Sequence, residues 1–206
     1  MQYEDENVSK ELYTKLETFS TTEICDAIGV FHAMDYTMKP VIPTGTVAGP
    51  AVTLDLPLGE SAAVVDVIRH LKEGDILVIA GRDARNSACW GDQRSAYAKI
   101  INAKAVVVDG AVRDLPGLRE QGFPVFARAV CSGAAQKTGV GRMNVSVSCA
   151  GVSVSPGDII MGDENGVIML KEDEAEQAME KALEKREKEE MLLNEFPGNR
   201  QIFRGQ

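Results

Sequence analysis

Three short apolar runs, each the length of a buried strand, constrain this chain most. They are GDILVIAG at 74–81, AVVVDG at 105–110 and PVFARAV at 124–130. Apolar runs this short, rich in Val and Ile and bounded by turn residues, read as strands buried in a core. Between them the pattern becomes helical, first from Gly91 to Ala103 and then over LPGLREQG at 115–122. Helix and strand therefore alternate, which argues for an α/β fold.

The flanking segments add to this frame. Ser20-Thr-Thr-Glu23 has capping-box spacing, and the apolar Ile24, Ala27 and Ile28 lead to Gly29, a natural helix stop. GTVAGPAVTLDL at 45–56 predicts a strand with a break at Gly49-Pro50, and SAAVVDVIRHL at 61–71 predicts an amphipathic helix. From 144 to 170, Ala-Gly, Pro-Gly-Asp and Glu-Asn-Gly turns separate short strands, a pattern of antiparallel β-structure. The segment 172–196 is a charged helix. No repeat or flexible linker divides the parts, so a single domain over residues 1–206 with an added β-layer is expected.

Composition narrows the function. A formal net charge of −9 argues against nucleic acid or an anionic membrane as partner, since phosphate binding needs clustered Lys and Arg. The first residues, MQYEDENVSKELY, lack a positive n-region and an apolar h-region, and no run of eighteen apolar residues occurs, so a cytoplasmic location is expected. Cys25, Cys89, Cys131 and Cys149 make no C-x-x-C pair, and most of them read as small buried residues. With only His32 and His70, a multi-histidine metal site is excluded. His70 is expected on a helix surface, His32 in a loop, and Trp90 in the core or at an interface. Arg85, Asn86 and Ser87 read as a polar loop, equally suited to lining a pocket or to making a turn.

The most informative stretch is Asp109-Gly-Ala-Val-Arg-Asp114, which puts an arginine and an aspartate side by side where a buried strand ends. A helix from about 92 to 103 rises roughly 18 Å, and a strand from about 105 to 109 returns roughly 17 Å if it runs antiparallel to that helix. Asp92 is thereby expected near Arg113 and Asp114, at a strand end beside a helix N-terminus, where open α/β sheets commonly hold ligands. Asp92 and Asp114 suffice for Mg²⁺, which keeps several waters and needs one or two carboxylates. The backbone N–H groups of Gly91, Asp92 and Gln93 suit a substrate carboxylate, and Arg113 suits a ketone oxygen as it becomes an enolate. On spacing alone, a helix-capping Asp92 and a solvated Arg113–Asp114 pair is the favoured reading.

Trp90-Gly91-Asp92 followed, after twenty residues, by Arg113-Asp114 resembles the signature of the family of regulators of ribonuclease activity A (RraA-like) and 4-hydroxy-4-methyl-2-oxoglutarate aldolases. The similarity extends to TEICDAIG at 22–29, GPAVT at 49–53, GDILV at 74–78, VDGAVRD at 108–114, PGDI at 156–159 and GDENGV at 162–167. It implies a three-layer β/β/α sandwich of the swivelling type, assembled as a homotrimer or, from two rings, a homohexamer. It also implies a divalent cation, Mg²⁺ or Mn²⁺, held by Asp114 with water-mediated help from Asp92. Arg113 would contact the carbonyl oxygen, and an acidic residue from a neighbouring copy's C-terminal region, first Glu189 and second Glu187, would enter the site. The implied reaction is cleavage of a 4-hydroxy-2-oxo acid to pyruvate and a second keto acid, with oxaloacetate decarboxylation through the same enolate. Ribonuclease inhibitors in this family carry an acidic residue three positions beyond the Arg-Asp pair, where this chain has Gly117. A methyltransferase role needs a nucleotide-type glycine turn, and Gly139-Val-Gly141-Arg-Met-Asn144 lacks the last glycine of that pattern.

Overall fold

The apolar runs pair side by side at the centre of the molecule. The computed structural model describes residues 10–29 and 32–195. Its first strands are β1 (Lys39–Pro40), β2 (Val47–Asp55), β3 (Ile76–Trp90), β4 (Ala105–Val112) and β5 (Val125–Val130). β2 pairs with β3, β3 with β4 and β4 with β5, all in parallel, while β1 closes the far edge antiparallel to β5. The helices are α1 (residues 10–16), α2 (Thr21–Ile28), α3 (Ala62–Ile68), α4 (Asp92–Ile100), α5 (Leu115–Gln121) and α6 (Glu172–Glu195).

The later strands complete the sheet. β6 (Arg142–Met143) pairs with the end of β2, and β7 (Val147–Cys149) and β8 (Val152–Val154) form a separate antiparallel hairpin. β9 (Ile159–Asp163) joins β2, and β10 (Gly166–Leu170) joins β9, both antiparallel.

Alternation along the parallel strands sets the layers. Leu77, Ile79, Val106 and Val108 face α3, α4 and α5 and pack with Val64, Val67, Ala98 and Leu118. Ile76, Val78, Ala105 and Val107 face the other way, against Val147, Cys149, Val152 and Val154 of the hairpin. A third cluster joins Ile24 of α2 and Ala175, Ala178 and Met179 of α6 to Ile159, Met161 and Ile168. The result is the three-layer β/β/α arrangement expected from the sequence. Full burial of one such aliphatic side chain contributes about 1.5–3 kcal/mol, and Leu77→Ala would cost about 2–5 kcal/mol once its cavity is counted.

Local signals explain several boundaries. The Ser20 hydroxyl accepts from the Glu23 N–H at 3.2 Å while the Glu23 carboxylate accepts from the Ser20 N–H at 2.7 Å, so the capping box is complete. Gly29, at φ 98°, ends the helix by donating to the Cys25 carbonyl at 2.7 Å. The charged helix spans Glu172–Glu195, with its first turn carrying Glu172, Asp173 and Glu174 toward the positive helix end.

Three expectations need correction. β2 passes unbroken through Gly49-Pro50, because the dipeptide marks a change of partner: Val47–Pro50 pair with β9, and Ala51–Asp55 pair with β3. Gly49 is required there, since an added Cβ would lie 2.3 Å from the Gly74 carbonyl oxygen. Residues 85–87 are not a loop but the bulged middle of β3, where Arg82 and Asp83 take positive φ and the register shifts three times between Ile79 and Trp90. The helix after Trp90 ends at Ile100 rather than Ala103, and β4 continues to Val112, so Arg113 and Asp114 directly follow the strand.

Candidate active site

The ends of β3 and β4 bring the signature residues together. Arg113 donates its backbone N–H to the Trp90 carbonyl at 3.0 Å, tying the two strand ends. Trp90 is anchored below: its ring is buried, stacks on Phe123 at 6.3 Å, and its indole N–H donates to the Ser95 hydroxyl at 2.7 Å. The chain then turns in opposite senses at the two ends. Gly91 is extended and starts α4 at Asp92, whereas Asp114 adopts the left-handed conformation, φ 62° and ψ 42°, and starts α5. Few residues other than Gly take that conformation without cost, and Asp is among the better tolerated.

Asp92, Arg113 and Asp114 line one cleft of about 400 Å³ together with Gly91, Gln93, Arg94, Tyr97, Ser61, Ala134 and Lys137. Arg113 Nε lies 3.2 Å from Asp114 Oδ2, with both side chains about two-fifths exposed. Such a pair contributes little to stability by itself. The close packing around the carboxylates is more telling. A Cβ on Gly91 would lie 2.5 Å from Asp114 Oδ2, and one on Gly117 would lie 2.7 Å from Asp92 Oδ2. Bare backbone is thus pressed against both acids. Asp92 Oδ1 accepts from the Gln93 N–H at 2.6 Å, so that one amide is already engaged.

Residues that the sequence did not single out also form the cleft. Arg94, half-buried on α4, donates to the carbonyls of Cys89 and Ser61, the second at 2.9 Å. Burial lowers its pKa, and the nearby Arg113 guanidinium lowers it further. The opposite wall, residues 134–138, is held by Glu60. That buried carboxylate accepts from the N–H groups of Ala62 and Ser61 at 2.7 Å each, from the Thr138 N–H at 2.8 Å and from the Thr138 hydroxyl. These donors, the Ala62 N–H foremost, pull its pKa down to about 2. A Gly-Glu-Ser turn before a helix was the available signal for Glu60, but its partner lies far along the chain.

Other expected residues lie elsewhere. Asp109 opens DGAVRD but faces the hairpin side, where its carboxylate accepts from Arg128 at 3.0 Å; Asp35 and Asp83 crowd the same guanidinium at 3.2 and 3.3 Å. Glu189 is exposed on α6, 3.7 Å from Lys185, and with Glu187 is absent from the lining of the cleft in its own chain. Arg85, Asn86 and Ser87 do not line it either. His32 donates from Nδ1 to the Met169 carbonyl, 3.1 Å away, and the exposed His70 donates to the Asp66 carbonyl. All four cysteines are free, and burial pushes the Cys89 thiol up to about 12. Among the described residues no group of three or more His, Cys, Asp or Glu side chains is gathered to hold a metal, and no helix is long and apolar enough to cross a membrane.

Comparison with known proteins agrees with this architecture. The family model described as RraA-like (aldolase/RraA) matches residues 21–169. A protein of Halalkalibacterium halodurans named "Putative 4-hydroxy-4-methyl-2-oxoglutarate aldolase" is 34% identical over 180 residues, which is 87% of this chain and 86% of that one. Among solved structures, the RNA-processing inhibitor RraA from Thermus thermophilis is 30% identical with a TM-score of 0.63, over 67% of this chain and 84% of that chain. Streptomyces coelicolor RraAS2, described as an unusual member of the RNase ES inhibitor RraA protein family, is 27% identical with a TM-score of 0.78, over 88% of this chain and 96% of that one. With the family model spanning most of the chain and Asp92, Arg113 and Asp114 meeting in one cleft, this chain belongs to the RraA-like (aldolase/RraA) family.

Proposed function

We propose that the chain is a divalent-metal-dependent carbon–carbon lyase that cleaves a 4-hydroxy-2-oxo acid to pyruvate and a second keto acid. The observation that carries this reading is the meeting of two carboxylates and a guanidinium, Asp92, Asp114 and Arg113, in a single cleft at the strand ends. The similarity to a protein named as an aldolase supports it.

The donor set fits a hard, hydrated cation. Both carboxylates face the cleft with bare glycine backbone behind them, and one or two carboxylates are what Mg²⁺ or Mn²⁺ ordinarily takes from a protein. Asp114 and Asp92 would hold it, and when bound it would supply Lewis-acid stabilisation to the oxygens of the 2-oxo acid. Arg113 would stabilise the oxygen that gains charge. As the bond between C3 and C4 breaks, its electrons enter the pyruvate enolate, and the C4 hydroxyl becomes a carbonyl by losing its proton. Asp92 would receive that proton through a water, and a proton returned to C3 completes pyruvate. Glu189 of a neighbouring copy in a homotrimer or homohexamer would complete the acidic side of the site. Oxaloacetate, which loses CO₂ through the same enolate, is the expected side substrate.

A second reading, a ribonuclease-binding regulator with a vestigial site, is favoured by the similarity to the two RraA structures. The deciding experiment measures pyruvate release over a panel of 4-hydroxy-2-oxo acids and oxaloacetate, with and without Mg²⁺. Metal-dependent release is expected. Full activity after chelation defeats the metal proposal, and no release together with measurable affinity for a ribonuclease establishes the regulator instead.

A further inference from the structure

The cleft contains a cation that the proposed chemistry does not use. Arg94, Arg113 and Lys137 line it together with Asp92 and Asp114, an excess of one positive charge before any metal is counted. Arg113 has its carboxylate in Asp114, but Arg94 has no carboxylate partner among the described residues, although its side chain is half-buried. Its two hydrogen bonds go to the neutral carbonyls of Cys89 and Ser61. A guanidinium carries five N–H donors, so these bonds leave donors for a ligand while fixing the plane of the group. Burying a cation beside a like charge without a counter-ion is costly, and such an arrangement is stabilised when an anion occupies the same cleft.

We propose that Arg94 is a specificity-determining residue that receives a second carboxylate of the substrate, on the half that leaves. The 2-oxo acid end occupies Asp92, Arg113 and Asp114, and Arg94 selects dicarboxylates over compounds of equal length ending in methyl. This assignment rests on the proposed function for the placement of the 2-oxo acid. Planarity matters as well as charge, because a fork of two parallel N–H groups matches a carboxylate and an ammonium does not.

The test is equilibrium binding by calorimetry in the presence of Mg²⁺, comparing 2-oxoglutarate with 2-oxopentanoate on the full chain. The unaltered protein is expected to favour 2-oxoglutarate, and Arg94→Met to reduce that preference about 10–100-fold, the range for loss of a charged hydrogen-bonding partner. Arg94→Lys should restore only part of it. Equal weakening of both compounds would show that Arg94 merely ties Cys89 to Ser61, and an unchanged preference would show that the carboxylate goes elsewhere; either overturns the assignment, as does failure of both compounds to bind. Pyruvate release measured on the same samples separates the two proposals: selective binding without turnover sinks the lyase reading alone, and turnover without selectivity at Arg94 sinks the subsite alone.

Discussion

Gly117 on α5 lies directly against Asp92 on α4: a Cβ built on Gly117 would stand 2.7 Å from both Cβ and Oδ2 of Asp92. Its φ is not in the left-handed region, so the glycine is needed for space rather than for backbone conformation. Gly117→Ala is therefore expected to push Asp92 or its helix away and to lower pyruvate release by about 10²-fold, the effect typical of a 1 Å displacement of a reacting group. Pyruvate release by Gly117→Ala that equals that of the unaltered protein would show that Asp92 has no positional role.

Asp114 and Arg113 should fail in different ways. Asp114→Asn tolerates the left-handed backbone at φ 62° but removes the charge, so it is expected to lose metal affinity and activity together without unfolding. Arg113→Ala should keep metal affinity and lower turnover by about 10²–10³, because its interaction strengthens only as the enolate forms. Metal titration beside turnover measurements checks both. Arg113→Lys should recover little.

Removing the metal supplies a third check. Chelation followed by dialysis should abolish pyruvate release, and Mg²⁺ or Mn²⁺ should restore it, since the candidate ligands are oxygen donors. Restoration by a soft metal but by neither of these would contradict the assignment of Asp92 and Asp114.

Glu60 gives a pH prediction. Its carboxyl is held at about 2 in the fold against an ordinary value of 4.5. A depressed carboxylate contributes stability that is fully present above 4.5 and is lost as pH falls through about 2. Glu60→Gln should lower the melting temperature at pH 7 and flatten the fall in melting temperature between those pH values. The cleft should suffer too, because Glu60 joins the start of α3 to Thr138 and so holds the wall that carries Lys137. A melting curve for Glu60→Gln that overlays the original at both ends of that range would show that the carboxylate carries no such load.

Legibility in the sequence followed the range of the interactions. Asp92 could be placed beside Arg113 and Asp114 because the helix and strand between them are local and adjacent in the chain, although α4 stops sooner, at Ile100, and β4 runs further, to Val112, than the spacing predicts. The Ser20–Glu23 capping box was readable for the same reason. Gly49-Pro50 misled because each residue weakens a strand in isolation, whereas here a change of partner makes both acceptable. Lys137 and Glu60 escaped notice because their importance depends on the 134–138 segment folding back onto residues 59–61, a meeting with no periodicity to announce it, and Arg94 because its partner carbonyl at Ser61 is distant in sequence. The bulge at Arg82 and Asp83 was hidden likewise, since three acidic side chains around Arg128 come from separate elements.

The partner change within β2 bears on the order in which the chain assembles. Ala51–Asp55 find β3 across a short helical crossover, whereas Val47–Pro50 must wait for β9, which arrives after most of the chain has been traversed. Closing the shorter loop costs less entropy, so the parallel core bearing the cleft is expected to form first and the β9–β10 ribbon with α6 to seal it later. Pulse-labelling hydrogen exchange should then protect Val106 and Val107 before Ile160 and Met161. A chain built this way emerges from synthesis with its chemistry-bearing half able to gather before its last strands exist.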